Sequence, residues 1–252
     1  MMEVGGSRAS TPPEPRFFFV KVMKTGGGTF LRHILANFER DEVYPYRESD
    51  PDMQIANIGI DYLTGLPPER RARIRVYTGH FPFVAAELVG GELVTLTILR
   101  DPVERTVSYL KHCKLYHEHH RALALEEIYE DPFNFPALIR NHQAKLFAMT
   151  PDDQPESYLD VIEIDDRRLE VAKANLERVD VLGLQERFPE LLEEMSRRYG
   201  WRFGAVDDHH VSDESKISDS FRRRIAEDNA ADLDFYEHAR QVWERRRAGV
   251  AT

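Results

Sequence analysis

The stretch FFFVKVMKTGGGTFL, residues 17–31, decides the fold of this chain. Its first six residues are apolar apart from one lysine, and such a run predicts a strand buried on both faces, as in a parallel sheet. Three glycines and Thr29 follow the strand. Beyond Thr29 the apolar side chains recur at helical spacing, at Phe30, Leu31, Ile34, Leu35 and Phe38. The predicted order is therefore strand, glycine loop and helix.

The glycine loop has the chemistry of an anion site. Gly26, Gly27 and Gly28 leave backbone N–H groups uncovered, and the helix behind them adds unpaired amides and the positive end of its dipole. Lys24 adds a full positive charge at the start of the loop. The Walker motif places its lysine after the glycines, whereas here the lysine comes first. A plain turn is the alternative, but Lys24 and Thr29 favour an anion site.

Length and composition fit one acidic globular domain. The chain has 252 residues, of which 42% are apolar and 31% charged, and its formal net charge is −10. We assign residues 16–252 to a single α/β domain and expect residues 1–15 to form a flexible tail. We expect no nucleic-acid partner, because affinity for the phosphates of a duplex depends on clustered cations in the protein.

The sequence also predicts where the protein resides. No stretch has the length and apolarity of a membrane-spanning helix, so we expect no membrane partner. The N-terminal residues lack the apolar core of a signal peptide. Cys113 is the single cysteine, which excludes an internal disulfide framework. The cysteine count says little else about the compartment, and the two preceding observations favour a cytoplasmic protein.

Three further strands are predicted downstream, at residues 74–78, 93–99 and 181–184, with helical patterns between and after them. Residues 41–68 are expected to hold loops and a short helix, and residues 133–149 one packed helix. The alternation of strands and helices predicts an α/β fold, a P-loop-like three-layer arrangement in which helices flank a mainly parallel central sheet.

A second anion site is predicted where the strand at residues 93–99 ends. Arg100 follows that strand directly, Asp101 is suited to cap the next helix and Pro102 to begin it. Ser108 lies about two turns into the helix, so that Arg100 and Ser108 could reach one anion near the helix start. A guanidinium is the side chain best matched to a phosphate or sulfate. The alternative for Arg100 is a surface ion pair.

Histidines raise two further questions. His80 follows the strand at residues 74–78 and Gly79, a position from which a side chain can point into a cleft; a histidine at the core edge is an equal alternative. The segment HCKLYHEHH, residues 112–120, contains His117 and His120 only three residues apart, without the HExxH pattern. We predict an exposed polar helix end there and no metal site.

Two motifs together resemble a known family. KTGGGTF at residues 24–30 and ILRDPVERTVSYL at residues 98–110 are similar to sulfotransferases that use 3′-phosphoadenosine 5′-phosphosulfate (PAPS). The similarity is greatest to the carbohydrate-sulfotransferase branch, which includes the heparan 2-O-sulfotransferases and bacterial relatives. GHFPF at residues 79–83, NHQAKL at residues 141–146 and VLGLQERF at residues 181–188 extend the resemblance over roughly residues 17–200.

The resemblance implies a role for each matching residue. The glycine loop would bind the 5′-phosphosulfate through Lys24, Thr25, Gly26, Gly27, Gly28, Thr29 and Phe30. Arg100 and Ser108 would hold the 3′-phosphate. His80 would be the catalytic base, and Lys24 would also act in catalysis. The chain departs from the family at Met23, where proline is usual, at Gly28, where Thr or Ser is usual, and at Lys145, where arginine is common.

The activity implied is transfer of a sulfuryl group from PAPS to a hydroxyl of a carbohydrate or small-molecule acceptor, leaving adenosine 3′,5′-bisphosphate (PAP). In-line transfer of this kind resembles phosphoryl transfer, and we expect it to need no metal. With an ordinary pKa near 6.5, His80 would accept the hydroxyl proton at neutral pH and give the pH profile an acid limb. Two alternatives remain: a P-loop kinase-like phosphotransferase, and a non-catalytic protein that binds PAP or another nucleotide.

Overall fold

A computed structural model of the chain describes residues 14–204 and 217–249. The described strands are β1 Phe17–Val20, β2 Val43–Tyr44, β3 Val76–Tyr77, β4 Val94–Leu99 and β5 Val181–Leu184. The described α-helices are α1 Gly27–Leu35, α2 Met53–Ala56, α3 Ile60–Thr64, α4 Pro68–Arg73, α5 Val84–Val89, α6 Pro102–Tyr116, α7 Leu125–Tyr129, α8 His142–Ala148, α9 Asp166–Glu177, α10 Phe188–Tyr199, α11 Asp219–Asp228 and α12 Ala230–Ala248.

The five strands form one parallel sheet in the order β2-β3-β1-β4-β5. The strand that opens the glycine-loop motif, β1, therefore lies at the centre of the sheet. It pairs with β3 on one side and with β4 on the other, Val20 lying opposite Thr97. The predicted α/β fold with a parallel central sheet is confirmed.

Both faces of the sheet are buried, as the continuous apolar run in β1 predicts. Phe18 and Val20 face a core that the apolar sides of α8, α9 and α12 complete. Phe17 and Phe19 point to the opposite face, where they pack with residues of α1 and α10. Helices on both sides of a parallel sheet give the three-layer, P-loop-like arrangement that the strand and helix pattern predicts.

The structure corrects three details of that pattern. Residues 41–68 contain the edge strand β2, which pairs with β3 over only two residues, too short to show a periodicity. The predicted strand at residues 74–78 is reduced to Val76–Tyr77. The predicted helix at residues 133–149 is divided into a π-helical turn, Phe135–Ile139, and α8, because Asn141 between them adopts a left-handed backbone with φ +47°.

The predicted tail, residues 1–15, falls mostly outside the described residues, which begin at Glu14. Glu14 forms an ion pair with Arg75, and the Pro15 carbonyl accepts a hydrogen bond from the same side chain at 3.3 Å. Arg16 is tied more firmly, because its guanidinium donates to the Ile74 carbonyl and the Tyr77 hydroxyl. The described residues before β1 therefore contact the residues in and just before β3.

The topology determines where a ligand can bind. In an open parallel sheet, ligands bind beyond the carboxyl ends of the strands, where neighbouring strands send their connections in different directions. The carboxyl ends of β3, β1 and β4 are neighbours in this sheet, and each is followed by one predicted site segment. These segments contain His80, the glycine loop and Arg100, respectively.

Candidate active site

The loop after β1 turns sharply before it enters α1. Lys24 has φ +67° and Gly26 has φ +97°, both in the left-handed region, and Gly26 is the N-cap of α1. A non-glycine residue rarely adopts this conformation without a functional or structural reason. A Cβ added to Gly28 would meet nothing within 4 Å, so the backbone there faces open space.

Two residues of the loop motif direct their side chains away from that space. Thr25 is fully buried and its hydroxyl donates to the Val22 carbonyl at 3.1 Å. The Phe30 ring is fully buried in the core between the sheet, α1 and α10, and its backbone N–H donates to the Gly26 carbonyl at 3.1 Å. The sequence motif assigned both to donor binding, whereas in the structure their side chains stabilise the loop and the helix behind it.

The other predicted site residues meet in one cavity of about 1130 Å³. It is lined by Lys24, Gly26, Gly27, Gly28, Thr29, His80, Arg100 and Ser108, together with residues that the motifs did not indicate, among them Lys21, Arg32, Lys111, Lys114 and Arg121. Residues from the ends of three neighbouring strands therefore surround a single space.

The cavity is strongly positive in an acidic protein. Among the described residues, seven lysine and arginine side chains line it against one carboxylate, Glu104, which also pairs with Arg222 at 2.6 Å. The formal charge of the lining is thus +6, compared with −10 for the whole chain. Burial lowers the pKa of Lys24, and the neighbouring Arg100 lowers it further. A bound anion would reverse both effects, so the lining favours a ligand with several negative charges.

Arg100 is held in place by a residue that the sequence did not identify as functional. Its backbone N–H donates to Gln143 Oε1 at 3.1 Å, and its carbonyl accepts from Gln143 Nε2 at 2.7 Å. Arg100 Nη1 donates to the Lys24 carbonyl at 3.2 Å, which joins the end of β4 to the glycine loop. Gln143 lies in the NHQAKL segment at residues 141–146. Nothing in the sequence pattern indicates that this polar side chain is buried in α8.

Arg100 retains unused hydrogen-bonding capacity. Its Nε is buried and has no hydrogen-bond partner among the described residues. A buried donor left unpaired is costly, particularly on a charged group. Since Arg100 lines the cavity together with Ser108 of α6, this donor is suited to an anionic ligand rather than to the surface ion pair considered as the alternative.

His80 lies in the wall of the cavity. Its Nδ1 lies 3.0 Å from the Lys21 carbonyl, which can only accept, so Nδ1 carries the proton and Nε2 presents its lone pair. The ring also packs against Tyr158, with centroids 5.3 Å apart. A neutral imidazole held in one tautomer is the arrangement that a general base needs.

The structure corrects the pKa expected for His80. Burial, and secondarily the charge of Lys21, lower its pKa to about 3 instead of leaving it near 6.5. The imidazole is therefore neutral throughout the physiological range, but it is a weaker base than the sequence suggests. A negatively charged group bound beside it would raise this pKa.

Arg105 and Lys145 bring positive charge near the site but do not line the cavity. Arg105 is fully buried; its guanidinium donates to the Met23 carbonyl at 3.3 Å and to the carbonyls of Leu138 and Ile139. Lys145 Nζ donates to the Ala137 carbonyl at 2.7 Å. Arg105 thus supports the backbone just before the glycine loop, and both side chains support the π-helical turn Phe135–Ile139. Burial lowers the pKa of Arg105 to about 10 and that of Lys145 to about 8.

The histidine segment is exposed from Leu115 to His119, as expected of a polar helix end, but two of its residues are buried. His120 is only 5% exposed, and Cys113 from the last turns of α6 is 1% exposed. With His117 they place three potential metal-ligating atoms within 4.8 Å of one another. Sequence spacing paired His117 with His120 but missed Cys113, which lies one helical turn before His117.

Comparison with known proteins yields no matching family model and no matching curated protein sequence. The site is therefore interpreted from its own geometry and from the motif resemblance. In the described part of the chain, no helix combines the length and the apolarity needed to cross a membrane.

Proposed function

We propose that this chain is a PAPS-dependent sulfotransferase that acts on a hydroxyl of a carbohydrate or small-molecule acceptor. The observation that carries the proposal is one cationic cavity in which the glycine loop after β1 and Arg100 after β4 converge. Two anion-recognition elements at neighbouring strand ends suit a donor with phosphate groups at two positions. The free Nε of Arg100 and the open space at Gly28 are the features that such a donor would use.

In this proposal Lys24 and the amides of Gly26, Gly27 and Gly28 bind the 5′-phosphosulfate. The bond between sulfur and the phosphate oxygen breaks, and a bond forms between sulfur and the acceptor oxygen. Lys24 and the amides stabilise the charge that develops on the departing phosphate. The acceptor hydroxyl gives its proton to Nε2 of His80, and PAP leaves from the contacts of Arg100 and Ser108.

A second candidate is a protein that binds PAP without transferring a group. The observation that favours it is the low pKa of His80, which makes the imidazole a poor base in the absence of a bound anion. The kinase-like alternative has less support, because the lysine precedes the glycines of the loop.

We also propose that the protein is cytoplasmic, as expected from its sequence. Cell fractionation tests this location.

Two measurements separate these candidates. Calorimetry with PAP, AMP and ATP tests the donor site: we expect PAP to bind more tightly than AMP, because only PAP has a 3′-phosphate for Arg100 and Ser108. Incubation with PAPS carrying labelled sulfur, against a panel of glycans and hydroxylated small molecules, tests transfer. Equal affinity for PAP and AMP would contradict the donor assignment, and tight PAP binding without transfer to any acceptor would favour the non-catalytic candidate.

A further inference from the structure

The end of α6 brings a cysteine and two histidines together. Cys113 lies one helical turn before His117, whose backbone N–H donates to the Cys113 carbonyl at 2.9 Å. The chain then enters a short 3₁₀ turn, Glu118–His120, in which the His120 N–H donates to the His117 carbonyl at 2.9 Å. This turn folds His120 back onto the helix end, so that Cys113 Sγ and one ring nitrogen from each of His117 and His120 lie within 4.8 Å of one another.

His120 has an unexplained buried atom in this cluster. The residue is 5% exposed, and its Nδ1 is buried without a hydrogen-bond partner among the described residues. Buried polar side-chain atoms are nearly always paired, and an orphaned one requires an explanation such as an ion. The ring of His117 lies nearly parallel to that of His120, with 5.4 Å between centroids and 14° between planes.

We propose that Cys113, His117 and His120 bind one transition-metal ion, with Zn²⁺ as the best match. A thiolate and two imidazoles are the ligands that Zn²⁺ prefers, whereas Mg²⁺ and Ca²⁺ require oxygen ligands. Three protein ligands leave the fourth position of a tetrahedral ion to water or to an exogenous ligand. His117 is the exposed member of the cluster, so this position opens toward solvent.

The distances fit a metal after a small contraction. A point equidistant from three atoms separated by 4.8 Å lies about 2.8 Å from each of them. Bonds from Zn²⁺ to sulfur and nitrogen are about 2.0–2.3 Å long. The sulfur must therefore move inward by up to about 0.5 Å and the two nitrogens by up to about 0.8 Å. Because the His117 side chain is exposed, a change in its torsions supplies part of this movement without disturbing the core.

Cys113 is buried at the end of α6, and a bound metal favours deprotonation of a coordinating thiol. The site would also fix the turn that precedes Arg121, a cation of the cavity lining, and it stands independently of the sulfotransferase proposal.

Metal binding is measured on the full chain without an affinity tag, after chelator treatment and removal of the chelator. Titration with Zn²⁺ against a chromophoric chelator should give one tight equivalent. Titration with Co²⁺ should give the charge-transfer band of a cobalt thiolate. Cys113→Ser should abolish that band, and His117→Gln should weaken Zn²⁺ binding by more than the roughly 10–100-fold that loss of an outer-shell partner costs.

The variants distinguish metal binding by this cluster from adventitious binding of a metal ion to surface histidines. His119→Gln is the matched control, because His119 is exposed and lies between the two proposed histidine ligands in sequence; it should retain the band and the affinity. His117 is exposed, so its variant tests the proposal even if Cys113→Ser fails to fold. The proposal is overturned if the wild-type chain gives no cobalt–thiolate band, or if His117→Gln binds Zn²⁺ as tightly as His119→Gln does.

Discussion

Arg100 makes two kinds of contact that determine what its loss would change. Its backbone N–H and carbonyl are both hydrogen-bonded to the Gln143 side chain. Its guanidinium donates to the Lys24 carbonyl, and its Nε has no partner among the described residues. Replacing the side chain therefore leaves the hydrogen bonds to Gln143 intact and removes only the charged group that faces the cavity. A binding measurement on an Arg100 variant consequently reports on ligand recognition more than on folding.

We expect Arg100→Ala to weaken PAP binding more than Ser108→Ala does. A charge-assisted hydrogen bond contributes about 1.5–3 kcal/mol, compared with about 1 kcal/mol for a neutral one. Calorimetry on both variants measures the difference, with Arg187→Ala as the control because Arg187 is a largely exposed residue outside the cavity. If a folded Arg100→Ala protein binds PAP like the wild type, Arg100 does not contact the 3′-phosphate.

His80 should affect turnover and leave donor binding almost unchanged. Its proposed task is proton removal from the acceptor, so His80→Ala should reduce turnover by a factor on the order of 10²–10⁴. Lys24→Ala should lower both PAP affinity and turnover, because Lys24 contacts the donor before and during transfer. Because burial lowers the pKa of His80 to about 3, the free enzyme should show no acid limb from this group above about pH 4.

Steady-state kinetics with PAPS and calorimetry with PAP provide these values. His112→Gln is the informative companion, because His112 is the other histidine lining the cavity. Should His80→Ala retain most of its turnover while His112→Gln loses it, the base is His112. An acid limb near pH 6 that disappears in His80→Ala would show that bound donor raises the His80 pKa.

At the scale of elements, two glycines of the loop differ in whether their backbone conformation requires glycine. Gly26 is held at φ +97°, and a Cβ there would meet only ordinary contacts, so the backbone conformation alone demands glycine. Gly28 is the second residue of α1, with open space around it and without a positive φ. Where the backbone conformation suits both residues, glycine is less stable than alanine because it loses more conformational freedom on folding.

We therefore expect alanine to have opposite effects at these two positions. Gly26→Ala should lower the free energy of unfolding by about 1–2 kcal/mol, the cost of a left-handed conformation for a residue with a Cβ. Gly28→Ala should raise it by about 0.4–1 kcal/mol. Urea denaturation of both variants and the wild type measures the pair. Equal destabilisation by the two substitutions would contradict the backbone conformation of the loop.

The elements that the sequence predicted well are those specified locally. The apolar runs of β1, β4 and β5 need both faces buried, and Asp101 caps α6 by accepting from the Glu104 N–H at 2.9 Å, as its position before Pro102 predicts. Elements specified by distant partners were missed or misjudged. The N–H groups of Gln143 and Ala144 at the start of α8 donate to the carboxylate of Asp232, which lies 88 or more residues away.

The residues of the candidate site were likewise predictable only where local patterns specify them. Local patterns placed Lys24, the glycines, Arg100 and His80 at strand ends, and parallel topology brings such ends together. The sequence could not show that Thr25 and Phe30 turn inward, because that depends on how α1 packs. It also could not show that Cys113 approaches His120, since the contact depends on a turn after α6 rather than on helical spacing.

At the scale of the whole molecule, acid should destabilise the fold through two buried histidines. His80 is surrounded by Lys21 and Tyr158, and burial lowers its pKa to about 3. His142 is fully buried near the cations Arg105 and Lys145, and its pKa is lowered well below the ordinary value. Both histidines take up protons more readily when the chain is unfolded, so the stability they contribute is lost as the pH falls below about 6.5.

Asp232 makes the stability change with pH in the opposite direction. Burial raises its pKa to about 6, although the N–H groups of Gln143 and Ala144 and the charges of Arg105 and Lys145 partly offset this. A carboxyl whose folded pKa is raised contributes stability at low pH and loses it as the pH rises through about 6. Between pH 8 and pH 5, His80 alone should cost about 2 kcal/mol and Asp232 should return about 1 kcal/mol; His142 acts in the same direction as His80, so the histidines outweigh the carboxyl.

The free energy of unfolding, measured by denaturant titration at pH 8 and pH 5, should therefore decrease on acidification. In His80→Gln the decrease should be smaller by about 2 kcal/mol, because His80 no longer titrates. In Asp232→Asn the decrease should be larger than in the wild type, because the opposing carboxyl is gone. The comparison uses the difference between the two pH values, so a loss of stability common to both does not affect it. A decrease in His80→Gln equal to that of the wild type would mean that His80 is not buried as a neutral imidazole, and the assignment of its Nε2 as the accepting atom would have to be abandoned.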